Sequence, residues 1–305
     1  MAAAKRRNLK LDFSPDKHLH QKVLVLPHFI RRGDPFDEYD EIDLIGEGSF
    51  GSIYQGKKRS CGTFKAIKVL SAGPLETPKI MKALNEAEIG LQMNHPNILL
   101  IEKVWYDGIR FLFVMDLIKP LTTSSLPESL KEKLVLFQQL VSAAAHLYSM
   151  GILHRDIKFQ NCGIMLGEKP RLVLFDFGEA CKVSDHYSEC VGTALHTAPE
   201  VLNSSQYSDR SEIWTLMSFL IEILTGKPMI LHLFTGALGS ITQIHVQLKI
   251  DSLVEAPIPA VFKEDNSPVG KILLQILERG LAIDPKERLS FPELERLLQK
   301  LIDLL

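Results

Sequence analysis

The sequence predicts an α+β protein with two units, a small β-rich unit that ends near residue 115 and a larger helical unit that begins near residue 120. Before residue 115 the apolar residues form short runs broken by glycines, which is typical of strands joined by turns. After Pro120 the apolar residues recur at helical spacing. The length agrees with this division, because 305 residues at roughly 150 per domain correspond to about two domains.

The composition restricts the kind of protein. Apolar residues make up 46% of the chain and charged residues 24%, which excludes a disordered chain, a collagen and a disulfide-dense miniprotein. The formal net charge of −2 gives no electrostatic reason to expect nucleic acid or membrane as a partner. Four cysteines without Cys-x-x-Cys spacing indicate reduced thiols of an intracellular protein. We expect a cytoplasmic location, with nuclear entry as an alternative, since no signal peptide or membrane span is recognisable.

The β-rich unit follows an arm. Residues 1–36 are basic and polar without sustained periodicity, so we expect a flexible N-terminal arm ahead of a domain over 37–305. Short apolar runs then predict strands, up to a strong one at Phe111 to Met115. Between them Thr77-Pro78 predicts a helix start, with an N-cap followed by proline, and this helix runs to about Met93.

The helical unit begins with an apolar face that Gly151 ends, formed by Leu130, Leu134, Phe137, Leu140, Ala144 and Leu147. Ile213 to Leu224 is apolar nearly all round and predicts a buried central helix. Leu281 to Leu305 predicts further helix at the end of the chain.

Two motifs of the β-rich unit suggest nucleotide chemistry. The run Gly46-Glu47-Gly48-Ser49-Phe50-Gly51-Ser52-Ile53 has G-x-G-x-x-G spacing, and its glycines allow backbone amides to approach a phosphate closely. A plain glycine-rich hairpin is the alternative. Lys68 lies in an apolar strand, where a charge needs a partner. Glu86 on the following helix is one candidate partner, and Glu88 is its rival.

The segment His154-Arg155-Asp156-Ile157-Lys158-Phe159-Gln160-Asn161 places four ionisable residues and two amides between apolar strands, as at an active site. In it, Asp156 is suited to accept a hydroxyl proton, Lys158 to neutralise a phosphate and Asn161 to bind a metal ion. Asp176 follows another apolar strand, with a glycine two residues later, and is suited to hold a divalent cation. Further on, Glu200 and Arg288 are candidates for a buried ion pair.

The order and spacing of these motifs closely resemble the eukaryotic-type protein kinase family, from about Tyr39 to the C-terminus. The resemblance implies the two-lobed protein kinase fold. It comprises a small antiparallel β-rich N-lobe with one helix over about 37–115, a hinge over about 116–120 and a larger, mainly helical C-lobe over about 121–305. It also implies a serine/threonine kinase of intracellular signalling that uses ATP and Mg2+, or alternatively Mn2+, and acts on protein substrates.

The resemblance further implies roles for single residues. Asp156 would be the catalytic base, with Lys158, Lys68 and Glu86 as further catalytic residues. Asn161 and Asp176 would bind the metal ion. Met115 would be the gatekeeper beside a hinge, Asp116 to Ile118, that reads adenine through backbone hydrogen bonds. The residues implied to bind ATP are Ile45, Gly46, Glu47, Gly48, Ser49, Phe50, Gly51, Ser52, Ile53, Ala66, Lys68, Met115, Asp116 and Ile118.

Some positions depart from the family pattern. Gly163 stands where a leucine usually forms the floor under adenine, and Gly90 stands where a large apolar residue is usual. Glu212 replaces an aspartate, and Met217 replaces a glycine. We hypothesise that the bulky Phe175 fills part of the volume that the glycines leave. These departures support the alternative of a nucleotide-binding pseudokinase scaffold.

Three further hypotheses concern specificity and regulation. A kinase of dual or tyrosine specificity is a third interpretation, against which Lys158 argues. In the loop from Asp176 to Glu200, Glu189 would pair with Arg155 in place of a phosphate, unless it is simply solvated. In the arm, Lys5 to Leu11 resembles the docking peptides of mitogen-activated protein kinases, with a solvated basic tail or a nuclear-import signal as the alternatives.

Overall fold

The protein is described here by a computed structural model that covers residues 26–48, 51–71, 77–185, 190–234, 253 and 255–305. The N-lobe is built on a six-stranded sheet, whose strands are β1 Ile30–Arg32, β2 Tyr39–Gly48, β3 Gly51–Lys58, β4 Phe64–Ser71, β5 Ile101–Tyr106 and β6 Arg110–Asp116. Their spatial order is β1-β5-β6-β4-β3-β2. Neighbouring strands are antiparallel except β1 and β5, which are parallel.

Alternation along the strands gives this sheet two different faces. Phe111, Phe113 and Met115 on β6 belong to one apolar cluster, together with residues of helix α1, Thr77–Gly90. Leu112 and Val114, the residues between them, belong to a second cluster on the opposite face. The predicted helix start at Thr77 is confirmed, but α1 ends at Gly90 and not near Met93, because residues 91–92 form a turn.

The predicted arm and the structure differ at residues 26–36. Ile30–Arg32 forms a strand, and Pro35–Glu38 forms a 3-10 turn capped by the side chain of Asp34. The strand has only three residues, too few to show a periodicity in the sequence. Residues 1–25, which include the docking-like segment Lys5 to Leu11, lie outside the described residues.

The C-lobe is mainly helical. Its helices are α2 Leu130–Ser149, α3 Pro199–Ser204, α4 Asp209–Thr225, α5 Ala260–Lys263, α6 Pro268–Gly280 and α7 Phe291–Asp303. Its short strands are β7 Lys119–Pro120, β8 Ile152–Leu153, β9 Cys162–Met165, β10 Arg171–Leu174 and β11 Cys181–Lys182. Among the described helices, none combines the length and apolar character needed to cross a bilayer.

The helix predictions for this lobe hold in part. The predicted central helix is confirmed, since most of α4 is fully buried. The helix expected from Leu281 begins only at Phe291, because Asp284-Pro285 starts a 3-10 turn between α6 and α7. Helix α6, which the sequence reading did not identify, is capped by the Ser267 side chain and begins with Pro268.

The structure fills the space directly beside the unusual glycines with isoleucine side chains. A Cβ atom at Gly90 would overlap the side chain of Ile101, and one at Gly163 would overlap the side chain of Ile118. Phe175 packs against the first cluster, but the three atoms nearest to each of these Cβ positions belong to other residues. The volume beside each glycine is therefore occupied by an isoleucine from another element.

Met217 is matched in the same way by a glycine. It is fully buried on α4, and a Cβ atom at Gly280 on α6 would overlap its side chain. We expect Gly280→Leu to lower the free energy of unfolding by about 1–3 kcal/mol through overpacking. Denaturant unfolding should show that the added substitution Met217→Ala recovers part of this loss. Gly167→Ala is the control, because nothing lies within 4 Å of its Cβ position.

Candidate active site

A buried ion pair joins the sheet to helix α1. The ammonium of Lys68 on β4 donates to both carboxylate oxygens of Glu86 on α1, at 2.8 and 3.0 Å. The two side chains are 12% and 5% exposed. The predicted partner of Lys68 is therefore Glu86. The rival candidate, Glu88, lies 3.9 Å from Lys182 instead.

Asp176 is the second carboxylate beside this lysine. Its Oδ1 atom lies 3.5 Å from the Lys68 ammonium and 3.4 Å from the N–H of Gly178. Although burial alone would raise the pKa of Asp176, the Lys68 charge contributes most to holding it below its usual value. Burial raises the pKa of Glu86 to about 7 in spite of Lys68. Burial also opposes the charge on Lys68, but Glu86 and Asp176 raise its pKa, so the ammonium stays charged at neutral pH.

Asp156 is held by three side chains. The amide nitrogen of Asn161 donates to the backbone oxygen of Asp156 at 2.8 Å and to its Oδ2 atom at 2.9 Å. The Lys158 ammonium lies 2.7 Å from Oδ2. The hydroxyl of Thr193 donates to Oδ1 at 3.0 Å and accepts from Lys158 at 2.9 Å. The Asp156 carboxylate therefore already accepts a hydroxyl hydrogen in this structure.

Lys68, Glu86, Asp156 and Asp176 meet in one cleft between the lobes, whereas Lys158 and Asn161 are not among its lining residues. An open cavity of about 240 Å³ is lined by seven of the predicted site residues: Gly48, Gly51, Ser52, Lys68, Glu86, Asp156 and Asp176. Sequence reasoning missed further lining residues, namely Val69, Leu70, Ser71, Lys79, Lys82, Gly178 and Glu179. Lys79 and Lys82 were detectable, because they precede Glu86 at helical spacing on the same face of α1.

The other predicted nucleotide contacts lie outside this lining. Ile45 and Ile53 are exposed, at 46% and 38%, whereas Ala66 and Met115 are buried. Asp116 pairs with Lys65 at 2.7 Å. Gly46 and Glu47 lie on β2, and Ile118 lies against the Cβ position of Gly163. Ser49 and Phe50 lie outside the described residues.

Glu212 anchors the loop that carries Asp156. Its Oε1 atom accepts from the backbone N–H of Arg155 at 2.7 Å, and the Arg155 backbone has φ +65°. Few non-glycine residues adopt this conformation, so the bond helps to hold a strained residue directly before Asp156. The other oxygen of Glu212 is buried without a hydrogen-bond partner among the described residues, and burial raises the pKa of the carboxyl. Glutamate can therefore serve where the family usually has aspartate.

We expect Glu212→Ala to lower kcat by about tenfold to a hundredfold, since an unsatisfied buried donor costs about 1–3 kcal/mol. The N–H of Arg155 would lose its acceptor, and the loop would relax around Asp156. Steady-state kinetics and a thermal melt of the same samples measure the effect. Glu168→Ala is the control, because Glu168 is exposed in the turn between β9 and β10. Unchanged kcat in a folded Glu212→Ala variant would contradict the anchoring role.

The segment from Asp176 to Glu200 is held in two places near Arg155. Glu179 contacts Arg155 directly, and Val191 contacts Tyr207, on which Arg155 packs. The guanidinium of Arg155 donates to the backbone oxygen of Glu179 at 2.6 Å and lies 4.9 Å from the ring centre of Tyr207. The Tyr207 hydroxyl accepts from the N–H of Val191 at 2.6 Å and donates to its oxygen at 2.8 Å. Sequence reasoning missed Tyr207, and no pattern in the sequence marks it.

Glu189, the proposed phosphate substitute, lies outside the described residues. At the far end of the segment, the predicted pair is confirmed, since the Arg288 guanidinium donates to the two oxygens of Glu200 at 2.6 and 2.8 Å. Arg288 is fully buried, and its guanidinium also lies 4.9 Å from the ring centre of Trp214.

Asp176 and Asn161 are the two side chains of the site that the sequence predicts to bind a metal ion. Within the described residues, no group of three or more His, Cys, Asp and Glu side chains is placed to enclose a metal ion. The Asn161 amide nitrogen is directed at Asp156, which leaves its oxygen directed away. A carboxylate oxygen of Asp176 and this amide oxygen are the kind of ligand Mg2+ takes, usually in few positions alongside substrate phosphates.

Comparisons with known proteins agree with this geometry. The family model described as "Protein kinase domain" matches residues 39–299. Serine/threonine-protein kinase ULK3 from Homo sapiens is 29% identical over 82% of this chain and 52% of its own length. Serine/threonine-protein kinase 36 from Pongo abelii is 31% identical over 85% of this chain and 19% of its own. For PLK4 from Nematostella vectensis the values are 29%, 64% and 21%. The chain thus spans about half the length of ULK3 and about a fifth of the length of each of the other two relatives. On the family match, the chain belongs to the protein kinase family.

Proposed function

We propose that the protein is a serine/threonine protein kinase that transfers the γ-phosphate of ATP to hydroxyl groups of protein substrates. The observation that carries the proposal is the hydrogen bond from the Thr193 hydroxyl to Asp156, with Lys158 donating to the same hydroxyl. A substrate serine or threonine that replaced Thr193 at Asp156 would meet a proton acceptor and a cation at once. The three relatives named above are all serine/threonine-protein kinases, which supports the same class for this chain.

The residues divide the work by position. Lys68, fixed by Glu86, would hold the phosphates of ATP, and Asn161 with Asp176 would hold Mg2+. When bound, Mg2+-ATP supplies the phosphoryl group and neutralises part of its charge. Asp156 would take up the proton of the substrate hydroxyl.

Lys158 would stabilise the negative charge that develops at the hydroxyl oxygen. It reaches both the Asp156 carboxylate and the Thr193 hydroxyl, so it lies where charge changes as a proton moves. Such preorganised charge costs no rearrangement at the moment of reaction.

The departures from the family pattern do not favour a pseudokinase. Ile101 and Ile118 occupy the volumes beside Gly90 and Gly163, and Glu212 still bonds the catalytic loop. None of these substitutions removes Lys68, Asp156, Asn161 or Asp176. The pseudokinase scaffold and dual specificity are therefore outcomes of the experiment and not competing proposals.

The experiment is a peptide array in which each sequence is presented with serine, threonine or tyrosine at the same position. Purified protein with ATP and Mg2+ should label the serine and threonine versions, and Asp176→Ala should label none. Labelling of tyrosine at a comparable rate would establish dual specificity. No labelling by a protein that binds ATP would favour the scaffold.

The wider setting extends this proposal. We place the activity in intracellular signalling, in the cytoplasm with nuclear entry as the alternative, on the composition alone. Docking of a mitogen-activated protein kinase to Lys5–Leu11 stays a prediction. A peptide of residues 1–16 should bind such a kinase and lose binding on Leu9→Ala with Leu11→Ala.

A further inference from the structure

Residues 26–38 precede the family match, which begins at residue 39, and yet they pack on the N-lobe. Ile30–Arg32 extends the sheet as β1, parallel to β5, with Ile30 opposite Val104 and Arg32 opposite Tyr106. Ile30 is buried, with 6% of its surface exposed. The segment is therefore part of the folded lobe.

The segment passes from one face of the sheet to the other at Gly33. This glycine has φ +120°, a backbone conformation that other residues rarely adopt. Its N–H donates to the backbone oxygen of Tyr106 at 3.1 Å. Asp34 then fixes the turn, because it accepts from the N–H of Phe36 at 2.9 Å and from Arg110 at 3.0 Å. The crossing is thus held by hydrogen bonds on both sides.

After the crossing, the segment covers the face opposite α1. The ring of Phe36 meets the ring of Tyr54 edge-on, with centres 5.3 Å apart. Phe36 and Trp105 pack against the second apolar cluster, which contains the buried Tyr39. Phe36 is not among the described residues that pack against the first apolar cluster or line the cavity.

Before the crossing, the segment lies on the face that carries α1. Leu26 and Phe29 pack against the first apolar cluster, and Ile30 belongs to it. From α1 the same cluster contains Ile80, Ala83 and Ala87. The segment and the helix therefore share one packed interior.

Packing in this interior bears on the ion pair of the active site. Glu86 lies between Ala83 and Ala87 on α1, and Lys68 lies on the sheet, so their 2.8 Å bond depends on how the helix docks on the sheet. Besides Ile80 and Leu84, α1 contributes to the cluster only the small side chains of Ala83 and Ala87, which flank the position of Glu86. Apolar side chains of the sheet and of the segment fill the rest of the same cluster, so the segment adds to the contact that fixes the helix.

We propose that residues 26–38 form a clamp that positions helix α1, with Phe29 and Ile30 as positioning residues for the Lys68–Glu86 pair. This inference rests on the proposed kinase function for its kinetic readout. The simpler alternative is that β1 only covers the exposed edge of β5, as proteins often cover sheet edges. An edge cover would contribute to stability without any specific coupling to Glu86.

The test compares the full chain with three variants: Phe29→Ala combined with Ile30→Ala, the same pair combined with Glu86→Gln, and Glu86→Gln alone. Arg31→Ala is the matched control, because Arg31 lies on the same strand but is exposed, with its guanidinium 5.5 Å from the ring centre of Trp105. The kcat and the KM for ATP are measured well below the melting temperature of every variant. Amide hydrogen exchange is followed in α1 and, for comparison, in α7.

The clamp predicts that the Phe29→Ala, Ile30→Ala variant lowers kcat about tenfold, with less than about a twofold effect in the Glu86→Gln background. Phe29→Leu with Ile30→Val should restore most of the loss, and Arg31→Ala should leave kcat unchanged. Equal losses in both backgrounds, or a lower melting temperature with unchanged kcat, would overturn the proposal in favour of an edge cover.

Hydrogen exchange separates this inference from the proposed function. The clamp predicts that the α1 amides exchange at least about fivefold faster in the Phe29→Ala, Ile30→Ala variant, while the α7 amides are unaffected. If the wild type transfers no phosphate, the proposed function fails, and exchange in α1 alone decides on the clamp. Unchanged exchange in α1 would overturn it.

Discussion

Lys68→Met is expected to abolish phosphoryl transfer while the protein stays folded. The ammonium bonds Glu86 at 2.8 Å and lies 3.5 Å from Asp176, so it is the cation that these two carboxylates share. Methionine keeps most of the buried stem but leaves the phosphates of ATP without that charge. Steady-state turnover measures the loss, and kinases of this kind typically turn over at ~1–100 s⁻¹.

The control for this variant is another ion-paired lysine of the same sheet. Lys57 on β3 bonds Glu41 at 2.8 Å, is 40% exposed and does not line the cavity, so Lys57→Met should keep wild-type turnover. A folded Lys68→Met variant that kept more than about a tenth of the wild-type rate would contradict the role of Lys68, since a tenfold change is only about 1.4 kcal/mol.

Asp156→Asn is expected to lower turnover by at least about a hundredfold and to leave ATP binding intact. The amide keeps the size of the carboxylate but accepts no proton, and the hydrogen bond from Thr193 shows that a hydroxyl meets this carboxylate directly. Turnover and nucleotide binding are measured on the same preparation. Asp303→Asn at the end of α7 is the control.

Loss of ATP binding by a folded Asp156→Asn variant would count against this role. It would mean that Asp156 contributes to the nucleotide site, which the proposal assigns to Lys68, Asn161 and Asp176. Wild-type turnover would remove Asp156 from the chemistry altogether.

Much of the site could be predicted because its residues follow local rules. Lys68 lies in an apolar strand, Glu86 lies on the next helix, and Asp176 follows a buried strand, so each is marked by its immediate neighbours. The predicted pairs Lys68–Glu86 and Glu200–Arg288 are both present in the structure. A charge in an apolar setting requires a partner of opposite charge, and the sequence offers few such residues near Lys68, namely Glu86 and Glu88.

The rest depends on contacts between distant parts of the chain. Ile101 beside Gly90 and Ile118 beside Gly163 compensate for the missing side chains, but no local pattern indicates which residue does so. Tyr207 likewise bonds Val191, in the segment from Asp176 to Glu200, and no local pattern predicts this contact. The strand Ile30–Arg32 escaped notice because three residues carry no periodicity and its stability comes from pairing with β5.

The most direct test of the account is a single-turnover experiment with labelled ATP and Mg2+, in which phosphate transferred to a serine peptide and ATP bound are measured together. Wild-type protein should convert bound ATP into phosphopeptide. Asp176→Ala should form none, because the proposal assigns Asp176, whose Oδ1 atom lies 3.5 Å from the Lys68 ammonium, to holding Mg2+. Wild-type protein that binds ATP but transfers no phosphate to any serine or threonine peptide would contradict the central claim that this cleft is a phosphotransferase site.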